Sequence, residues 1–213
     1  MAINTYSLVK NFLPSLLDVP TAALEPVSGT LDNLFTMAED RAIDDVMDRG
    51  GVRAFETSFL GTVSTAGTVA FPSDLLEFKH LYIDTAPAQW LERKDPEWVY
   101  RNYPTRSANG KPKFFAGEAS SLIFGPTSDT NYTIRGIYYA RPTSVVGTAT
   151  TFTGVFASNK LLLFAAAVES EVFLKRMQHV QLWEARYAQE LERIIGKEMR
   201  ERWSGSRLRV TLN

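Results

Sequence analysis

The hydrophobic period of this chain changes twice, and that change limits what the chain can fold into. Apolar residues recur at helical spacing from Thr30 to Arg49, and from Val52 to about residue 140 they mostly follow the period of two that is typical of strands. Helical spacing returns at Ser158 and continues to Trp203. A block of strands held between helices predicts an α+β fold.

The N-terminal part predicts two helices. Residues 3–13 show a loose helical stripe, with Thr5 as the expected N-cap and Pro14 as the expected limit. The helix expected from Thr30 to Arg49 has an apolar face and an acidic opposite face, and a glycine pair should close it. The residues on its predicted acidic face are Asp32, Glu39, Asp40, Asp44, Asp45 and Asp48.

The C-terminal part predicts two consecutive helices, with Ser158 as the N-cap of the first. The apolar run Leu161 to Val168 has eight residues, whereas a membrane span needs roughly twenty, so we expect a buried core helix. The second helix, Val180 to Trp203, has an apolar stripe opposite a charged face. The charged residues of that face are Arg186, Glu190, Arg193, Lys197 and Glu201.

The middle of the chain predicts six or seven antiparallel strands. Ala66-Gly67 is the expected turn of a hairpin between the first two. The order Asp95-Pro96-Glu97 predicts a short helix from Pro96 to Asn102, because it supplies an N-cap, a proline at the first position and an acid in the first turn. Residues 142–157 are uncharged and predict a long loop that either contacts another surface or is slack.

The expected organisation therefore has three parts. The helices of residues 1–51 and 158–204 form a helical bundle, and residues 52–157 form an inserted antiparallel β unit with its long loop. Residues 205–213 form a C-terminal arm that is too short to fold alone.

Composition and motifs point away from catalysis. The net charge of −1 gives no overall attraction to nucleic acid, and the absence of cysteine excludes disulfides, thiolate nucleophiles and Cys-ligated zinc. No phosphate-binding, dinucleotide-binding or nucleophile-elbow motif occurs. His80 and His179 are the only histidines and neither has a partner at metal spacing. We expect no enzyme activity, no metal and no cofactor, and the N-terminus lacks the features of a signal peptide.

One region leaves a second interpretation open. Aromatic and basic residues interleave between Trp90 and Arg101, a pattern that also suits stacking on nucleotides. The alternative to a structural role is therefore a nucleic-acid- or peptide-binding module that uses this region.

Taken in order, the segments resemble the head-to-tail adaptor (connector) proteins of tailed bacteriophages. The resemblance covers about residues 30–203, and its segments are the acidic helix Leu34 to Arg49, Phe55-Glu56-Thr57, Thr68 to Glu77, Leu81 to Asp84, Gly110 to Phe115, Leu122 to Pro126, Tyr132 to Ala140, and Trp183 to Tyr187. The first 29 residues and the last ten lie outside it.

The resemblance implies a non-enzymatic virion protein that assembles in the host cytoplasm. Its dodecameric ring would attach to the portal protein at the head–tail junction, extend the channel for double-stranded DNA without reading its sequence, and offer a platform to tail or nozzle proteins. No membrane partner is expected. Helices would sit against the portal, and the β unit would carry the tail contacts.

Charge suggests roles within such a ring. A ring interface joins two different faces, so we expect a subunit interface between a basic and an acidic helix face. Its expected residues are Arg186, Glu190, Arg193, Lys197, Asp40 and Asp44. Alternatively, Asp44 and Asp48 line the channel, where negative charge keeps DNA from binding.

The arm alternates polar and apolar residues. Arg207, Leu208, Arg209, Val210, Thr211 and Leu212 are the residues expected to dock on the portal or on a neighbouring subunit, as an added strand. The alternative is a frayed terminus.

Overall fold

A computed structural model describes residues 5–50, 52–105, 109–148 and 151–203. The chain divides into two compact units, a discontinuous one (Met1–Ala54 with Thr143–Asn213) and a continuous one (Phe55–Pro142). The first unit is built of helices and the second is mainly a sheet, so the α+β class is confirmed.

Five α-helices form the helical unit within the described residues. They are α1 (Tyr6–Leu17), α2 (Thr21–Leu24), α3 (Thr30–Asp48), α5 (Asn159–Phe173) and α6 (Met177–Trp203), with α4 lying in the other unit. Helix α5 packs against α1, α3 and α6. It is buried on several sides, as its run of small apolar residues predicts, because alanines allow neighbouring helices to approach closely.

Helix α1 does not end at Pro14, as the sequence analysis expected, but continues to Leu17. Proline inside a helix removes one backbone donor and costs about 3 kcal/mol. Leu13 and Leu17 on either side are both buried, and each contributes about 1.5–3 kcal/mol by leaving water. Burial therefore outweighs the local penalty, and Asp18, in the left-handed conformation, ends the helix.

Helices α3 and α6 run side by side in the same direction. The Arg41 guanidinium binds Glu184 at 2.7 Å, the Tyr187 hydroxyl donates to Asp45 at 2.6 Å, and Arg49 pairs with Glu192. Burial, together with the hydrogen bond to Asp45, raises the pKa of Tyr187 well above its usual value. These contacts determine which residues of α3 lie beside which residues of α6.

Residues 143–157, which the sequence analysis assigned to the β unit, group with the helices instead. Glu39 of α3 is only 2% exposed and accepts hydrogen bonds from Ser144 Oγ at 2.6 Å and from the Val145 amide at 2.9 Å. Phe152, Val155 and Phe156 are buried as well. Glu39 therefore does not belong to an exposed acidic face, because its carboxylate holds this segment against α3.

Within its described residues, the second unit contains seven strands and one helix. They are β1 (Glu56–Val63), β2 (Thr68–Ala70), β3 (Leu75–Ile83), β4 (Gln89–Arg93), α4 (Pro96–Asn102), β5 (Phe114–Glu118), β6 (Ser121–Gly125) and β7 (Tyr132–Ala140). The strand order is β1-β7-β3-β4-β5-β6-β2.

Two features of this sheet differ from the sequence-based expectation. The pair β4–β5 is parallel, because α4 carries the chain back to the starting end as a crossover. Strand β2 pairs with β6 and not with β1, so the turn at Ala66-Gly67 does not close a hairpin ladder. Every other strand pair is antiparallel.

The core of the β unit is rich in aromatic residues. Phe59, Phe78, Phe115 and Tyr138 pack edge to face or tilted, with ring centroids 5.3–6.4 Å apart. Gly136 lies in the middle of β7, where a Cβ atom would stand 2.2 Å from the carbonyl oxygen of His80. The close approach of β3 to β7 therefore requires glycine at this position.

Candidate interaction surfaces

A groove lies beside α5 and α6 on the helical unit. Its volume is about 690 Å³, and Lys160, Phe164, Arg186, Gln189, Glu190, Glu192 and Arg193 line it. Phe164 packs against Trp183 with 6.1 Å between ring centroids, and the guanidinium of Arg186 lies 5.2 Å above the Trp183 ring. The groove therefore combines an aromatic floor with cations on its rim.

Glu190 is buried, and this corrects its assignment to the exposed face of α6. It binds Arg193 through both oxygens, at 2.9 and 2.6 Å, and it also accepts a hydrogen bond from the Ser158 hydroxyl. The hydrogen bonds from Arg193 hold the pKa of Glu190 below its usual range against the opposing effect of burial. Ser158 is the N-cap residue of α5, but its side chain makes no cap hydrogen bond, because its hydroxyl donates to Glu190 instead.

The other basic residues of the expected interface behave differently. Arg186 is exposed and, within the part of the chain that the structure describes, pairs with no carboxylate. Lys197 is exposed and lies 3.7 Å from Glu201, its own helical neighbour. The structure thus brings Arg186 and Arg193 to one groove, leaves Arg186 available, and engages Arg193 internally.

The acidic side of α3 also divides into engaged and available residues. Asp32 binds Lys10 and Tyr6, and Asp45 binds Tyr187 and lies 3.8 Å from Arg41. Hydrogen bonds from Lys10 and Tyr6 lower the pKa of Asp32. Asp40 is half-buried, and Asp44 and Asp48 are exposed.

Asp44 and Asp48 have no ion-pair partner among the described residues. Within one copy, none of the described ion pairs joins Asp40, Asp44 or Asp48 to Arg186, Arg193 or Lys197. The acidic and basic faces of the expected interface are therefore not joined by ion pairs inside one subunit.

The junction of α5 and α6 is held by a buried acid. Glu171 is 1% exposed, and Arg176 Nε lies 3.1 Å from its Oε2. Arg176 Nη1 also donates to the Leu17 carbonyl at 3.2 Å, and Arg176 Nη2 lies 2.7 Å from His179 Nδ1. His179 is therefore part of a structural junction.

The β unit has an exposed row of side chains across four strands. The register aligns Leu60 of β1, Arg135 of β7, Tyr82 of β3 and Trp90 of β4. Leu60 is 66% exposed and Trp90 65% exposed. Trp90 also packs on His80, with 5.1 Å between ring centroids, and on Tyr82, with 5.5 Å. The sequence analysis missed this row because its members are far apart in the chain.

The Trp90 to Arg101 region does not form one surface. Trp98 packs against Phe114, with 4.8 Å between ring centroids, while Trp90 belongs to the exposed row on the sheet. Arg93, Lys94 and Arg101 each pair with a carboxylate, from Glu77, Glu92 and Glu97 respectively. Because these cations are engaged, the geometry gives less support to nucleic-acid binding than the sequence suggested.

The described residues offer neither a metal site nor a membrane-spanning helix. They contain no group of three or more His, Cys, Asp or Glu side chains placed to hold a metal ion. None of their helices is long and apolar enough to cross a membrane. The six arm residues expected to dock on the portal, Arg207 to Leu212, lie outside the described residues.

Comparison with known proteins identifies a family. No curated protein sequence matches the chain. The family described as SU10 adaptor protein, a family of phage head-to-tail adaptors, matches residues 4–211. The match includes the N-terminal helices and most of the C-terminal arm, which the resemblance seen in the sequence had not covered. The chain therefore belongs to the SU10 adaptor protein family, and the recognition of a phage head-to-tail adaptor is confirmed.

Proposed function

We propose that this chain forms a dodecameric ring at the head–tail junction of the virion. The ring attaches to the portal protein, extends the DNA channel and provides the platform on which the tail or nozzle proteins assemble. Membership of the adaptor family over residues 4–211 carries this proposal. The ring assembles in the host cytoplasm, catalyses no reaction and needs no cofactor.

The subunit interface is proposed on the charged faces of α3 and α6. Arg186, Lys197, Asp40 and Asp44 are its contact residues. Glu190 and Arg193, which the sequence analysis also assigned to it, contribute by holding the groove wall, since they bind each other. In the alternative arrangement, Asp44 and Asp48 line the channel, where negative charge repels the phosphates of passing DNA.

The tail platform is proposed on the exposed row of the β unit. An exposed tryptophan beside a tyrosine, with an exposed leucine at the other end of the row, is typical of protein contact surfaces, in which aromatic residues are enriched. Arg135 lies in the middle of the row and is already bound by Asp84 at 2.6 Å. A largely neutral aromatic surface of this kind favours a protein over DNA.

The arm is proposed to dock on the portal through residues 207–212. A chain truncated after Gly205 should lose co-purification with the portal protein of the same phage, while its helical content and unfolding temperature stay unchanged. Undiminished co-purification would remove the arm from the portal contact.

Electron microscopy of the chain mixed with its portal protein tests the ring directly. We expect a second ring coaxial with the portal and twelve-fold averages. Scattered monomers that never assemble on the portal would contradict the proposed function. Salt-dependent retention of DNA by the isolated chain would favour the alternative of a nucleic-acid-binding module.

A further inference from the structure

Two helix ends in the helical unit carry charge of the unfavourable sign. The C-terminal end of a helix is partially negative, yet α3 ends with Asp44, Asp45 and Asp48 and has no basic residue in its last turn. Its C-cap residue, Arg49, pairs with Glu192 of α6. The N-terminal end is partially positive, yet α5 has no acid in its first turn and carries Lys160 there. Each end would be stabilised by the charge that the other one holds.

The surroundings of Lys160 leave positive charge available. Lys160 and Arg186 line the groove beside α5 and α6, and neither pairs with a carboxylate in the described part of the chain. The two glutamates of the groove are engaged elsewhere, Glu190 by Arg193 and Glu192 by Arg49. Phe164 adds an aromatic side chain to the lining.

The exposed side of α3 carries the matching pattern. Met37, Asp44 and Asp48 are spaced by seven and four residues, so they lie on one side of the helix. Met37 is 55% exposed, and neither aspartate has an ion-pair partner among the described residues. The acidic stripe, defined as Met37, Asp44 and Asp48, thus offers one apolar side chain and two acids to a groove that offers one aromatic ring and two cations.

We propose that the groove of one subunit binds the acidic stripe of a second copy of this chain. Asp44 and Asp48 pair with Lys160 and Arg186, and Met37 packs against Phe164, a contact that thioethers and rings favour. The contact rests on the proposed ring and deepens it. Because groove and stripe are different surfaces, the contact is heterologous and repeats from copy to copy, as a ring requires.

The groove fits a protein better than DNA. Glu190 and Glu192 interrupt its cations, so the groove is not a continuous basic strip of the kind that follows a nucleic-acid backbone. An apolar contact beside the ion pairs also suits a protein interface, whose core is depleted of charge.

Charge reversal in two complementary chains tests this contact. Lys160→Glu/Arg186→Glu makes the groove acidic, and Asp44→Lys/Asp48→Lys makes the stripe basic. Each chain alone should self-associate at least about 10-fold more weakly than the wild type at low salt, measured by sedimentation velocity with and without portal protein. Mixed in equal amounts they should recover, because each acidic groove then meets a basic stripe and each basic groove an acidic stripe.

A matched control changes the same charge elsewhere. Arg101→Glu/Lys113→Glu reverses two exposed cations of the β unit and should assemble like the wild type. The unfolding temperature of every variant identifies any chain that lost assembly by misfolding.

Disulfide cross-linking gives a second readout, with the substitutions Asp44→Cys and Lys160→Cys in a chain that otherwise has no cysteine. A chain with both changes should give a ladder of disulfide-linked oligomers under oxidation, whereas a chain with Arg101→Cys and Asp44→Cys should not.

The outcomes separate the contact from the ring. Reversed chains that assemble as well as the wild type, or absence of the disulfide ladder, would overturn the groove contact and leave the adaptor function standing. Loss of DNA retention in Lys160→Glu/Arg186→Glu without loss of assembly would assign the groove to phosphates instead. A wild-type chain that remains monomeric even with portal protein would overturn the proposed ring itself.

Discussion

The two units of this protein handle charge differently. Among the described residues, the three buried carboxylates, Glu39, Glu171 and Glu190, all lie in the helical unit, and the buried polar side chains of the β unit are Thr127 and Ser128. The helical unit joins segments far apart in the chain and uses buried acids as directional ties between them. The β unit is one continuous stretch, and strand pairing with aromatic packing holds it together. Substitutions in the helical unit should therefore act mainly by breaking the hydrogen bonds and ion pairs of buried acids. Substitutions in the β unit should act mainly by disturbing strand pairing and packing.

The largest effect is expected in the β unit, at Gly136. Gly136→Ala puts a Cβ atom 2.2 Å from the His80 carbonyl oxygen and 2.6 Å from Leu81 Cδ2. Backbone cannot move aside as a side chain can, so β3 and β7 must separate, and we expect a loss of at least about 4 kcal/mol in urea unfolding. At Gly196 in α6, an added Cβ atom would have no atom of another segment within 4 Å. Gly196→Ala should therefore stabilise the chain by about 0.5–1 kcal/mol. Equal effects of the two changes would contradict the close approach of β3 and β7.

The largest effect in the helical unit is expected at Glu171. Glu171→Ala leaves Arg176 without its ion pair at the α5–α6 junction. Breaking a fully buried pair costs about 3–5 kcal/mol, and because Arg176 itself is 28% exposed we expect a smaller loss of about 2–3 kcal/mol. Glu192→Ala, which removes an exposed partner of Arg49, should cost less than about 1 kcal/mol. Denaturant unfolding of both variants measures the difference. A Glu171→Ala chain as stable as Glu192→Ala would show that the junction does not depend on this acid.

Glu39 should give a smaller and more local effect. Glu39→Ala removes the acceptor for Ser144 and Val145 and should cost about 2 kcal/mol, while Glu39→Gln keeps one acceptor oxygen and should cost less. Hydrogen exchange should accelerate at the Val145 amide. Unchanged protection there would mean that other contacts hold this segment against α3.

The smallest effect is expected in the pH dependence of Glu190. Its pKa is lowered in the folded chain from an ordinary value of 4.5, chiefly by hydrogen bonds from Arg193. A lowered folded pKa gives stability that is complete above the unfolded pKa and is lost as the pH falls through the folded one. The stability difference between the wild type and Glu190→Gln should therefore shrink as the pH is lowered from about 5 to below the ordinary carboxyl pKa of 4.5. A constant difference over that range would contradict this role of Arg193.

Much of the fold followed from local signals in the sequence. The bounds of α4 were predicted correctly, because Asp95-Pro96 marks a helix start and Pro104 follows its end. The fold class and the succession of two C-terminal helices were also predicted. These features depend on periodicity and on caps, which act over a few residues.

The structure differs from the sequence-based predictions where a segment contacts a partner that is distant in the chain. Strand β2 pairs with β6 rather than with its neighbour in sequence, and no local pattern encodes that choice. Glu39 and Glu190 were expected on exposed faces, yet a signal was present. Glu39 lies four residues from both Phe35 and Ile43, which are buried, and Glu190 directly precedes the buried Leu191. An acid flanked in this way on a helix indicates a buried partner in another segment.

The acidic stripe and the groove could not be found from sequence alone. Charged faces on both helices were visible, but which charges remain available depends on the pairs formed inside the subunit. Arg193 was expected to face a neighbour and binds Glu190, while Lys160 was not considered and lies in the groove. The sequence shows where charges are, and only the folded chain shows which of them are already neutralised.

The division of the helical unit into two stretches of the chain has a consequence for its synthesis. Helix α3 packs against α5, but the β unit of residues 55–142 lies between them in the chain. On the ribosome the apolar face of α3 therefore emerges well before its partner, and the β unit can complete its fold first. Both walls of the groove lie C-terminal to the β unit, so a nascent chain cannot join a neighbour through that groove until the β unit and helices α5 and α6 have all been synthesised.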